Sequence, residues 1–134
     1  MRTSTLLLGL GFLITCRAPV APQPGEDFTL RVGATATIPS AELSLTFLAV
    51  TGDSRCPEDV VCVWAGSAPV QLRLQLADRD TTLLLDPTQG PAAAVVAGWR
   101  VELRALSPPP HSGRTIPTAE YEATLRVSST APTA

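Results

Sequence analysis

The residues with most chemistry to offer are three cysteines, a single histidine and a few paired acids. Cys56 and Cys62 enclose Pro57-Glu58-Asp59-Val60-Val61, and Cys16 stands apart near the start. Such thiols either oxidise together or hold a soft metal. Zinc sites commonly space cysteines by about two to four residues and need two further ligands. His111 is the only other soft ligand available. Nucleophilic catalysis needs a Ser or Cys with a base in reach. His111 follows three prolines, and no G-x-S-x-G elbow occurs. Glu58 with Asp59, and Asp78 with Asp80, pair carboxylates, but acid–base work requires partial burial and both pairs lie in polar, turn-like segments. Asp53, Glu58 and Asp59 offer hard oxygen ligands, at a spacing that fits no calcium loop. No catalytic residue, metal ligand or cofactor is therefore assigned, and the chain reads as a non-enzyme.

The elements that must carry these residues are strands. Phe28, Leu30 and Val32 alternate with Thr29 and Arg31, and Leu43, Leu45 and Phe47 with Ser44 and Thr46. The same period of two runs through Val70–Leu76, Val101–Ala105 and Tyr121–Val127. Alternation puts apolar side chains on one face and polar ones on the other, as an antiparallel sheet with one face in the core requires. Ala34–Ile38, Val60–Trp64, Thr81–Leu85 and Ala94–Ala97 are shorter strand candidates, with Gly33, Gly66, Gly90, Gly98, Pro39, Pro87 and Pro91 as turns between them. This predicts an all-β fold, a small antiparallel β-sandwich or barrel of about seven to nine strands, over residues 26–129 with a short tail at 130–134. Two segments break the pattern: Thr51–Pro57 and the proline-rich Ser107–Pro117. Asp53, Arg55, Glu58, Asp59, His111 and Arg114 from these regions form the candidate binding loop.

The N-terminus reads as an address. Arg2 precedes Leu6–Ile14, a run without a polar residue that suits a signal peptide over 1–15 and is too short to span a bilayer. Leu13-Ile14-Thr15-Cys16 resembles the lipobox of bacterial lipoproteins, with Thr15 where that family usually has Gly, Ala or Ser. The resemblance implies a lipidated Cys16 as the new N-terminus; ordinary cleavage after Ala18 is the other route. Residues 16–25, with three prolines, then read as an extended tether. Either route leaves Cys56 and Cys62 as a pair in an oxidising compartment, which favours a disulfide.

Asp53-Ser54-Arg55-Cys56-Pro57, Cys62 and Trp64-Ala65-Gly66 together resemble a D-S-R-C-P-x4-C-x-W-A-G pattern of small predicted bacterial lipoproteins with no established activity. Leu106-Ser107-Pro108 and Glu120-Tyr121-Glu122-Ala123 also look like that group. The resemblance implies a fold and an exported address, not a reaction. From the residues themselves, the disulfide would pin a loop entering a strand, with Trp64 filling the core beside it. Asp53 would accept backbone N–H bonds, and Arg55 would pair with Asp53, Glu58 or Asp59.

With no Lys and a net charge of −2, the chain lacks the clustered positive charge that nucleic acid requires. The expectation is a cell-envelope protein, held to a membrane through a lipid anchor, that serves as a binding or structural module for an envelope protein or polymer. Two alternatives stand beside it. One is an exported protease inhibitor presenting Arg55 on its disulfide-held loop. The other is a metal-binding envelope protein.

Overall fold

The computed structural model describes residues 20–130. The signal segment, Cys16, the start of the tether and the residues after 130 lie outside the described residues. The fold is all-β: eight strands in two antiparallel sheets. One sheet has the order β2 (Thr35–Ile38), β3 (Leu43–Val50), β4 (Val70–Leu76), β5 (Arg79–Leu85). The other runs β1 (Asp27–Arg31), β8 (Glu122–Ser129), β7 (Trp99–Ser107), β6 (Ala93–Val96).

The alternation explains the strands. Leu30, Leu45, Phe47, Leu72, Leu74 and Leu125 are buried between the sheets, while their polar neighbours face water. The polar faces are cross-linked too, as by Thr35 with Thr46 across β2 and β3 and by Arg31 with Glu122 across β1 and β8. Register shifts interrupt β3 between Phe47 and Ala49 and β7 between Leu103 and Ala105. Such bulges bend a strand and increase its twist. The chain crosses between sheets at Gly33, whose φ of 87° suits glycine and whose N–H reaches the Phe47 carbonyl at 2.7 Å.

Two observations differ from the sequence reading. Val60–Trp64 is not a strand, although its residues are strand formers. The run V-V-C-V-W has apolar residues at both parities, so neither face is marked as inward, and it lies in a loop. In addition, the second half of the proline-rich segment is packed on the domain. Val20 forms a parallel bridge to Ala36, Pro22 is buried, and the Gly25 N–H bonds the Val127 carbonyl at 2.8 Å.

The connections sort to two ends. The 39–42, 77–78 and 97–98 turns lie at one end. At the other lie the β1–β2 turn, the 51–69 loop between β3 and β4, the turn after β5, and the 108–121 loop between β7 and β8.

Candidate functional site

The loop-bearing end gathers all the sequence-assigned loop residues. The 51–69 loop closes on itself at its stem. The Thr51 N–H bonds the Pro69 carbonyl at 3.0 Å, and Ser54 and Ser67 exchange bonds through the Ser54 N–H (2.8 Å) and the Ser67 N–H (3.0 Å). Gly66 permits this closure: a Cβ there would sit 1.4 Å from the Ser54 carbonyl oxygen. Further out, Cys56 and Cys62 are joined by a disulfide, with Cα atoms 5.8 Å apart.

Asp53 and Arg55 tie this loop to the 108–121 loop. The Arg55 guanidinium donates to both Asp53 carboxylate oxygens, from Nε at 2.9 Å and Nη2 at 2.7 Å. It also donates to the carbonyls of Leu106 (2.9 Å) and Pro108 (3.0 Å). Tyr121 Oη donates to Asp53 Oδ2 at 2.9 Å, and the Arg55 N–H to Asp53 Oδ1 at 3.2 Å. The Arg55 and Asp53 side chains are only 10% and 13% exposed, although the backbone around Asp53 is open. Burial alone would raise the Asp53 carboxyl; hydrogen bonds from Arg55 and Tyr121 outweigh it and hold the group below its ordinary 3.8. Burial, and then the neighbouring carboxylate, push the Tyr121 phenol up to about 12.

The remaining candidates extend the seam. The Glu58 N–H bonds the Pro110 carbonyl at 3.0 Å. Asp59 accepts from the Ser112 N–H at 2.8 Å and from the Ser112 hydroxyl, bonds that lower its carboxyl. His111 Nδ1 lies 3.6 Å from Asp59, and Arg114 pairs with Glu120 at 2.6 Å. The Ser112 hydroxyl donates to Asp59 rather than to the imidazole, so these three residues do not line up as nucleophile, base and orienting acid. Behind the loop, Asp86 gathers the N–H groups of Thr88 and Gln89, and the Thr88 hydroxyl reaches the Gly66 carbonyl. An open groove of about 360 Å³ lies beside the seam, lined among others by Val50, Asp53, Arg114, Ile116 and Tyr121.

The structure therefore selects Asp53 as the partner of Arg55. It also corrects two expectations. Arg55 is turned inward, so the loop does not present it as a protease would require. Trp64 does not fill the core: it is 82% exposed, with Val63 at 91% and Val61 at 100%. The two cysteine sulfurs are bonded to each other, and among the described residues no group of three potential ligands converges on a point. Tyr121 and Asp86 are the functional-end residues that sequence reasoning missed. Tyr121, just before β8, continues its apolar alternation as a core residue and gives no local sign of its hydroxyl's partner. Asp86-Pro87-Thr88 does carry a turn signature.

No protein-family model matches the chain, and no curated protein or solved structure shows significant similarity to it.

Proposed function

We propose that the protein is an exported, membrane-anchored binding module that makes contact through its loop-bearing end. The disulfide suits an oxidising compartment outside the cytoplasm. The leader and the Leu-Ile-Thr-Cys sequence ending at Cys16 support the anchor.

One observation carries the binding reading. Val61, Val63 and Trp64 stand in water at the tip of a loop held by a disulfide, a closed stem and the seam to the 108–121 loop. Large apolar side chains clustered in solvent mark interaction sites. A loop already held in one shape loses little conformational entropy on binding.

The test is site-specific photo-crosslinking in intact cells. A photoreactive side chain at Val63 is expected to give a covalent adduct, and the same group at Thr82, on the exposed face of β5, none. Equal labelling at the two positions would contradict the reading.

A further inference from the structure

We infer that the partner of the apolar tip is a lipid bilayer, the one that holds the anchor. This rests on the anchored reading above and names what the loop-bearing end touches. Four features of the molecule point to it.

The first is chemistry. From Val60 to Gly66 no residue is charged, and Trp64 is the side chain most suited to the headgroup boundary of a bilayer. The second is size. The contiguous exposed apolar run spans only Val60 to Trp64, a small footprint beside the roughly 20–30 residues that each partner gives to a standard protein interface. The third is direction. Val20 pairs with Ala36 in parallel and the Gly25 N–H bonds Val127, so Val20–Gly25 starts on the side of Ala34 and Gly33 and runs away from them. Those residues lie at the end from which the 51–69 loop projects, because Thr35 lies opposite Thr46 and β3 runs on to Val50. The fourth is reach. Four residue steps separate Cys16 from Val20, at most about 14 Å of chain. A lipidated Cys16 would thus hold the loop-bearing end, and not the opposite one, near the membrane.

The flanking Glu58 and Asp59 are acidic, so the attraction is apolar and not electrostatic. Insertion is therefore expected in uncharged phosphatidylcholine vesicles, without help from anionic lipid.

The test uses the full protein extracted from its own membranes, with Trp99→Phe so that Trp64 is the only indole. It is reconstituted into phosphatidylcholine vesicles with and without bromine on the acyl chains. Trp64 emission is expected to be quenched by the brominated chains and shielded from aqueous acrylamide. Val61→Asp changes a fully exposed position and so leaves the fold intact; it should reduce the inserted fraction about tenfold. Acrylamide quenching as efficient as for free tryptophan, with no effect of bromine, would overturn the inference. So would Trp64 shielding that rises with protein concentration and ignores bromine, which would mean a second copy covers the tip. A protein adduct from Val63 in the crosslinking experiment would keep the binding module and overturn the bilayer as its partner. An intact mass of the same sample without acyl chains would refute the anchor, while bromine quenching would still decide the tip.

Discussion

At the scale of the residue, Asp53 is the centre of the loop-bearing end. It accepts from Arg55 in the same loop and from Tyr121, 68 residues further on. Tyr121 is the only tyrosine, so its phenolate absorbance reports on this contact alone. It should titrate near pH 12, and Asp53→Asn should lower the midpoint by removing the neighbouring negative charge, while burial, the larger cause, keeps it above the ordinary 10. A pKa raised on folding means that the native state holds the proton more tightly. The associated stability is thus complete below pH 10 and is lost as the pH rises toward 12. A tyrosine that titrates near 10 in the native protein would place Tyr121 away from Asp53. The Asp53–Arg55 pairing was legible in the sequence because the two residues are close neighbours with opposite charge. The Tyr121 contact was not, because nothing local ties a residue just before β8 to a loop that precedes β4.

At the scale of the element, the 51–69 loop has a closed stem and a clamped tip, and each can be broken separately. Gly66→Ala would drive a Cβ into the Ser54 carbonyl and part the stem, at a cost of about 2–3 kcal/mol in chemical denaturation. An unchanged midpoint would mean that the stem opens freely. The tip behaves differently. Replacing Cys56 and Cys62 with Ser removes a short covalent ring, for which the chain-entropy model gives about 2 kcal/mol. Amide exchange should rise across 56–64 and stay slow in β3 and β4, since those strands are held by their own ladder. Faster exchange throughout both sheets would make the disulfide a support of the core. This loop is also where the sequence misled. Strand propensity in V-V-C-V-W suggests a strand with Trp64 inside, but propensity carries no face. The disulfide and the close approach at Gly66 turn the chain outward. β4 and β8 were legible because each has only one apolar parity, which burial against the other sheet then enforces.

At the scale of the whole molecule, the sandwich has two unlike ends. Short turns close one end; the long loops, the buried ion pair and the apolar tip occupy the other. Val20–Gly25 packs along the domain from the loop-bearing end toward the end with short turns. The proline content of this stretch suggested a free tether. Its docking was hidden because it comes from one bridge and one buried proline, neither of which leaves a periodic mark. An anchor and an apolar tip at one end would hold the protein at two points, which restricts its orientation more than the lipid anchor alone does. The most direct test of this arrangement is the intact mass of the protein extracted from its own membranes in mild detergent. The expected result is a chain that begins at Cys16, carries acyl groups, and lacks the hydrogens lost in joining Cys56 to Cys62. A chain that begins after Ala18 and carries no lipid would contradict it.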